Sequence, residues 1–384
     1  MTQAASPAAT DALPLEDSRR LTGANLFFAS TGAVLEARGT DIDEAMLEAW
    51  RSRARRAAEA LGWSGQRYVA RRHAAGASLA ISAPLDQLFL ATEVNEWAWC
   101  ATVVERQPAR RASIEAALLA QAIEASQDDA ARLFVAPSLD EPISMARFAT
   151  LAAAESNPRL RSLVAAATGR DLPHLEDDDT LTLGVGQRSR SDALAQLPEV
   201  DQVDWTALGG VPTALVTGSN GKTTTVRLLA ACAREHGLHT GYNCTDGVFL
   251  DGEALASGDY SGPTGARRVL REPRTQAAIL ETARGGILRR GLAVSRADVA
   301  VVTNISPDHF GEYGIDDLAG LASAKLVVAA VVDPRGLLVL NAEDAETIAA
   351  LPGIAARFDR CPPLGWFSAI DHSPALRARA AEGA

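Results

Sequence analysis

The sequence predicts an α/β protein: a doubly wound, mostly parallel sheet that carries a phosphate loop, preceded by a smaller α+β domain. Three observations lead there. Beyond residue 211, short apolar, β-branched runs alternate with helical stretches. One of these runs leads directly into Gly218-Ser219-Asn220-Gly221-Lys222-Thr223. Before residue 197 the chain is rich in Ala and Arg and mostly helical in its periodicity.

Taken in chain order, residues 1–18 are rich in Ala, Thr, Pro and Asp and lack the apolar centre of a signal peptide, so a disordered start is expected. Residues 19–197 form the α+β domain. Apolar positions at helical spacing mark Ile42–Leu61, Ser113–Ala125 and Met145–Ala154. Ser78–Ile81 and Thr180–Leu183 read as strands, and the acidic run Glu176–Asp179 as a solvated loop. Residues 198–210, with Pro198 and Gly209-Gly210, read as a linker. The remainder, 211–384, is the ATP-binding domain.

In that domain Thr213–Thr217, Ala277–Glu281, Val299–Asn304 and Leu337–Asn341 are the candidate strands. Continuous runs of this kind suit strands buried on both faces, as in a parallel sheet. Lys222–Glu235 and Leu318–Val332 read as intervening helices, and the alternation argues for double winding. Ligands of such sheets bind beyond the carboxyl ends of the strands, which is where Thr217, Glu281 and Asn304 fall.

Composition narrows the chemistry. With 384 residues, 47% of them hydrophobic and 22% charged, the chain suits two or three folded domains. A net charge of −11 gives no general attraction to nucleic acid or to an anionic membrane, so neither is expected as a partner. No apolar stretch approaches a membrane span, and a cytoplasmic location is expected. Cys100, Cys232, Cys244 and Cys361 form no C-x-x-C pair, so no zinc site or disulfide framework is indicated, and Cys232 and Cys244 read as core residues.

The phosphate loop carries the most specific chemistry. Gly218 and Gly221 let the backbone curl so that N–H groups face phosphate oxygens, and the helix opening at Lys222 adds its dipole. Lys222 can reach the terminal phosphates of ATP, and the Thr223 hydroxyl can ligate Mg²⁺. Ser219, Asn220 and Thr224 complete the nucleotide-binding stretch. The longer Walker pattern would place a glycine at position 216, which is Val216 here, so the match is to the short form G-x-x-G-K-T. By itself the loop leaves kinase, GTPase, motor and ligase chemistry open.

Further residues follow in a fixed order: Glu281 at a strand end, Asn304 through His309 in N-x-x-x-D-H, and Lys325 on a helix. This ordered set resembles the Mur ligase family. The segments Asp246–Gly252, Gly258–Pro263 and Glu281–Leu288 are similar to those of the cyanophycin synthetases within it, and Leu21–Asn25 and Leu183–Arg188 extend the likeness more weakly into the first region. The resemblance implies that Thr223 and Glu281 ligate one Mg²⁺ and His309 a second, and that Lys222, His309 and Lys325 serve catalysis. Lys325 is implied either as a carbamate that orients Mg²⁺ or as an amine paired with an anion. The implied reaction activates a carboxylate with ATP as an acyl phosphate, which an amino-acid amine attacks to form an amide. Small-molecule amino acids and carboxylates, aspartyl peptides among them, are the implied substrates.

Against the family pattern, the ATP-grasp module of cyanophycin synthetases and the third Mur domain have no counterpart here. The expectation is a central domain incomplete at its C-terminus and little turnover from this chain by itself. A second reading is therefore a nucleotide-binding module that regulates or scaffolds a partner ligase, as a homo-oligomer or in a complex. A P-loop kinase is a third, but it accounts for neither the N-x-x-x-D-H segment nor Lys325.

Overall fold

The first sheet forms where apolar residues of successive hairpin strands meet a helical layer. Its strands are β1 (Leu15–Leu21), β2 (Gly32–Arg38), β3 (Tyr68–His73) and β4 (Gly76–Ser82), in the order β1-β2-β4-β3 and antiparallel throughout. The computed structural model describes residues 13–128, 133–308, 310–358 and 362–381. It divides into two compact units, residues 1–21 with 31–157 and residues 22–30 with 158–384.

In the first unit Ala33, Leu35, Leu79 and Ile81 share a core with Trp50, Trp97, Trp99 and Phe148. The helices are α1 (Glu44–Ala60), α2 (Leu88–Arg106), α3 (Arg111–Asp128) and α4 (Glu141–Glu155). Asp43 caps α1 and Asp140 caps α4, each accepting a backbone N–H of the first turn. The Trp50 indole donates to Asn95 at 2.8 Å, and the Asn95 amide donates to the Leu79 carbonyl at 2.8 Å, which ties α1 to α2 and β4.

One polar network is built into the strands. Glu36 accepts from Arg19 at 2.7 Å and from the Ser78 hydroxyl at 2.6 Å, with His73 Nε2 at 3.6 Å. This explains why order begins earlier than the sequence suggests. The disordered start expected to residue 18 contains β1 from Leu15, held by strand pairing and by Arg19, whose partner lies 17 residues away. Residues 1–12 lie outside the described residues.

The second unit opens with α5 (Pro158–Thr168) and a small antiparallel sheet of β5 (His174–Glu176), β6 (Thr180–Leu183) and β7 (Arg190–Ala193). These elements, grouped by sequence with the first region, lie in the second compact unit. The stretch read as a linker buries Val203 and Leu208, and Arg188 donates to the Leu208 carbonyl at 2.8 Å. Residues 22–30 also belong to this unit: Thr22 donates to the Arg290 carbonyl, and Leu292 to that of Ala24, each at 2.8 Å. Gly23 allows this approach, since a Cβ there would fall 2.1 Å from the Leu292 carbonyl oxygen. The acidic run is not fully solvated. Asp178 and Asp179 are exposed, but Asp177 binds Arg271 at 2.5 Å, and burial pushes the Glu176 carboxyl up to about 7 against the pull of Arg267.

The main sheet has eight strands: β8 (Thr213–Thr217), β9 (Thr240–Cys244), β10 (Gly247–Leu250), β11 (Glu253–Ser257), β12 (Ala277–Glu281), β13 (Ala297–Val302), β14 (Val332–Asn341) and β15 (Leu364–Phe367). Their order is β11-β10-β9-β12-β8-β13-β14-β15. From β9 to β15 every neighbouring pair is parallel, and only β10 runs against the rest, pairing antiparallel with both β9 and β11. Helices cover both faces. Tyr242 packs with Val226 and Ala230 of α6 (Lys222–Glu235), whereas Gly241, on the opposite face, lies against Val269 of α7 (Pro263–Arg271). Cys244 is buried as expected, but Cys232 is exposed because it falls on the solvent side of α6. The remaining helices are α8 (Arg284–Arg290), α9 (Leu318–Lys325), α10 (Ala345–Phe358) and α11 (Pro374–Ala381). The helix expected over Leu318–Val332 narrows after Lys325 to a 3₁₀ segment, Leu326–Val331, that leads straight into β14. No helix among the described residues is long and apolar enough to cross a membrane.

The Glu36 network gives a pH signature. Burial would raise this carboxyl, but His73, Arg19 and Ser78 outweigh it and hold it down at about 2, against 4.5 when unfolded. A depressed carboxyl stabilises the fold above the unfolded value and loses that contribution as pH falls through the folded one. Relative to Glu36→Gln, the native protein should lose up to about 3 kcal/mol between pH 4.5 and 2. Denaturant titrations of both proteins across that range measure the difference.

Candidate functional site

Three adjacent strands, β12, β8 and β13, deliver the candidate residues to one end of the main sheet. The loop Gly218–Gly221 follows β8 and opens α6, so the unpaired N–H groups of the first helical turn face outward there. Gly218 has φ of +139° and Gly221 of +81°, conformations that favour glycine. A Cβ on Gly218 would also fall 1.8 Å from the Thr303 hydroxyl.

The end of β13 fastens this loop. Ser219 N–H donates to the Asn304 carbonyl at 2.8 Å, and Asn220 N–H donates to the Asn304 side chain at 3.2 Å. The Asn304 amide returns a bond to the Asn220 carbonyl at 3.0 Å, which also accepts from the Thr303 hydroxyl at 2.6 Å. The Ser219 hydroxyl donates to the Ser306 carbonyl at 2.9 Å and accepts the Ser306 N–H at 3.0 Å. Thr303 and Ser306 thus act on the loop, although the sequence singled out neither. Their signal was position, since they flank Asn304 in the segment already marked.

Glu281 ends β12 fully buried, at 1% exposure. Its Oε2 accepts the Thr223 hydroxyl at 2.7 Å, while Oε1 is buried without a hydrogen-bond partner. Burial pushes this carboxyl above the usual range, opposed by the Thr223 hydrogen bond and the charge of Lys222, and assisted by Asp259 and Asp246. An orphaned carboxylate oxygen beside a threonine hydroxyl matches the hard oxygen donors that Mg²⁺ takes. Asn243 holds the backbone here, donating to the Glu281 carbonyl at 3.0 Å and the Tyr260 carbonyl at 2.6 Å. It was missed because β9, Thr-Gly-Tyr-Asn-Cys, lacks the apolar run that marks β8 and β12, although it has the same length. No group of three or more His, Cys, Asp or Glu suited to a metal occurs among the described residues, so Glu281 would need hydroxyl and phosphate oxygens to complete a shell.

Two lysines flank the loop. Lys222 Nζ donates to the Ser219 carbonyl at 3.1 Å. Lys325, 1% exposed, donates to the Gly218 carbonyl at 2.8 Å and lies 4.0 Å from Asp308. Thr224 is exposed in the first turn of α6. The structure therefore brings together the loop, Thr223, Glu281 and Lys325, while His309 lies outside the described residues.

The profile of the Mur ligase middle domain matches residues 216–358, which contain all of these groups. The matched stretch lies within the second unit. Cyanophycin synthetase of Synechocystis sp. is 44% identical over 168 residues, covering 44% of this chain and 18% of that protein. Cyanophycin synthetase of Trichormus variabilis is 48% identical over 136 residues, 35% of this chain and 15% of that one. The UDP-N-acetylmuramoyl-L-alanyl-D-glutamate–2,6-diaminopimelate ligase of Xanthomonas oryzae pv. oryzae is 38% identical over 115 residues, 29% of this chain and 23% of that one. The chain thus matches less than a fifth of the length of these cyanophycin synthetases.

The geometry of this site makes two outcomes measurable. Gly218→Ala should cost well over 1 kcal/mol, since the new methyl meets Thr303 in a backbone conformation L-residues avoid; thermal unfolding reads the loss. Burial, with the charge of Lys222, lowers Lys325 to about 8 from 10.5, against the pull of Asp308. Between those values the unfolded chain holds a proton that the folded one has released, so stability rises with pH. Relative to Lys325→Met, the native protein should gain stability from pH 8 to 10.5, by up to about 1.4 kcal/mol per pH unit, and level off above. Urea titrations at several alkaline pH values test the slope.

Proposed function

We propose that this chain carries the nucleotide-binding and phosphoryl-transfer core of an ATP-dependent carbon–nitrogen ligase of the acid–amino-acid type. The observation that carries the reading is the Thr223–Glu281 pair at the mouth of the phosphate loop, with one carboxylate oxygen left without a partner. The relatives' names, cyanophycin synthetase and a diaminopimelate ligase, point to the same class.

In this reading the loop Gly218–Thr224 binds the ATP polyphosphate through backbone N–H groups and the dipole of α6. Thr223 and Glu281 would hold Mg²⁺, and His309 is proposed as a further ligand. The ion, when bound, neutralises charge on the phosphoryl oxygens. Lys222 swings from its loop carbonyl to the terminal phosphates, adding positive charge where the transferred group carries most negative charge. Lys325 positions the loop through the Gly218 carbonyl. A bicarbonate-dependent rise in activity, lost in Lys325→Ala and partly restored by a small carboxylate, would assign it instead as a carbamate.

The reaction class is phosphorylation of a substrate carboxylate to an acyl phosphate, then attack by an amino-acid amine with release of phosphate. The carboxylate substrate is proposed to be an aspartyl compound, and residues 19–197 an accessory α+β region. A nucleotide-binding module without turnover is the second reading.

Calorimetry should show Mg²⁺–ATP binding to this chain. Lys222→Ala should weaken it at least tenfold, and Glu281→Gln should remove the Mg²⁺ dependence while leaving weak nucleotide binding. Unchanged affinity in both variants would defeat the assignment. Product analysis with ATP, amino acids and aspartyl peptides separates the classes: ADP with a new amide indicates a ligase, a stable phosphorylated product a kinase, and binding without turnover the idle module.

A further inference from the structure

The second unit has a cavity of about 300 Å³ at the amino ends of β8 and β13, the opposite end of the main sheet from the phosphate loop. β8 has five residues, so Thr213 in the cavity wall and Gly218 at the loop stand roughly 17 Å apart along the strand. A ligand here would not meet a nucleotide bound at the loop.

Most of the lining is apolar. Leu175 of β5, Leu270 of α7, Val185, Val211 and Val294 all face the cavity, and each is buried apart from it. An apolar cavity of about 150 Å³ already holds benzene, and small-molecule sites begin at about 300 Å³. The space therefore takes a six-membered ring with a short chain.

The exposed part of the lining is polar and forms the mouth, with Asp171 and Asp298. Its charges favour a cation. The arginine of the lining, Arg296, is already engaged: Nη1 donates to Asp171 at 2.6 Å, and Nη2 lies 2.8 Å from Asp333. Arg335 is held by the same two carboxylates, 3.1 Å from Asp333 and 3.8 Å from Asp171. Asp298 accepts the Thr213 N–H at 2.8 Å through one oxygen, which orients the carboxylate. Three carboxylates thus stand against two guanidiniums. Burial pushes His174 below its usual range, so this part of the wall adds no positive charge at neutral pH. An anion would have to displace a carboxylate from Arg296, whereas an ammonium finds an oriented carboxylate beside an apolar lining.

We infer that this cavity is a second ligand site, for a small primary amine with an apolar body. The ammonium sits against Asp298 and Asp171, and the body lies among Leu175, Val211 and Val294. The inference does not depend on the ligase reading, since it requires neither nucleotide nor turnover.

The test is calorimetry of phenethylamine with the full chain. Saturable binding is expected, and phenylpropionate, of similar shape and opposite charge, should bind about tenfold more weakly or worse. Asp298→Asn keeps an acceptor for the Thr213 N–H but removes the charge. It should weaken amine binding about tenfold, as for loss of one charge-assisted contact. Val294→Trp should abolish binding by filling the cavity. Because it leaves the surface charge unchanged, it separates the site from general attraction of cations to a chain of net charge −11. Asp298→Asn, an exposed substitution, reports on the site if Val294→Trp fails to fold. Added Mg²⁺–ATP should leave the amine in place. Equal affinity for the amine and the acid would overturn the inference, as would amine binding that neither substitution changes or that Mg²⁺–ATP displaces.

Discussion

The phosphate loop keeps its shape because the end of the neighbouring strand holds it. A loop with two glycines at positive φ has many alternatives in isolation, and fixing each residue costs about 1–2 kcal/mol of backbone entropy. Here Thr303, Asn304 and Ser306 share seven hydrogen bonds with Ser219 and Asn220, so the ordering is offset by contacts from the segment that follows β13 rather than by the loop itself. Gly218 is required twice, by its own backbone angle and by the space that Thr303 occupies. The parallel pairing of β8 with β13, Val302 opposite Thr217, sets this register, and a slip by one residue would turn each of these side chains to the other face.

The same sheet geometry explains the buried carboxylate. Glu281 could not stay at 1% exposure on hydrophobic grounds, since an ionised group without full compensation is expensive to bury. The Thr223 hydroxyl satisfies one oxygen, and Asn243 holds the strand end that presents the other. What remains is an acceptor without a donor beside a helix N-terminus. A bound cation relieves that deficit more fully than any side chain nearby, which is why the geometry suits Mg²⁺.

How legible this was depended on the range of the signal. The loop, Glu281, Asn304 and Lys325 could be read because each sits at the end of a run whose type is set locally: β-branched strands, a helix start, a helical lysine. The parallel sheet followed from the same runs. Elements defined by distant partners were not legible. The first residues of β1, Leu15–Ser18, were taken as disordered because they are ordered by pairing with β2, and β9, β10 and β15 were missed because each contains a glycine and no continuous β-branched run. Likewise, the acidic run Glu176–Asp179 reads as solvated until α7 brings Arg267 and Arg271 against it. Cys232 failed for a different reason: residue type alone does not say which face of α6 it takes.

Charge placement links these features. The chain as a whole is acidic, yet both of its lysines, Lys222 and Lys325, stand at the loop, where polyphosphate chemistry would occur. Long-range attraction from such a protein is weak, so affinity for an anion must come from desolvated, short-range contacts. Lys325 illustrates the consequence. Buried and facing Lys222, it keeps its place by donating to the Gly218 carbonyl and by the nearby charge of Asp308. A polyanion entering the loop would lower the mutual repulsion of the two lysines. It would thereby favour the charged form of the very group that fixes Gly218. Binding and loop order are then coupled through one buried amine, and the cost of burying that amine is smallest when the anion is present.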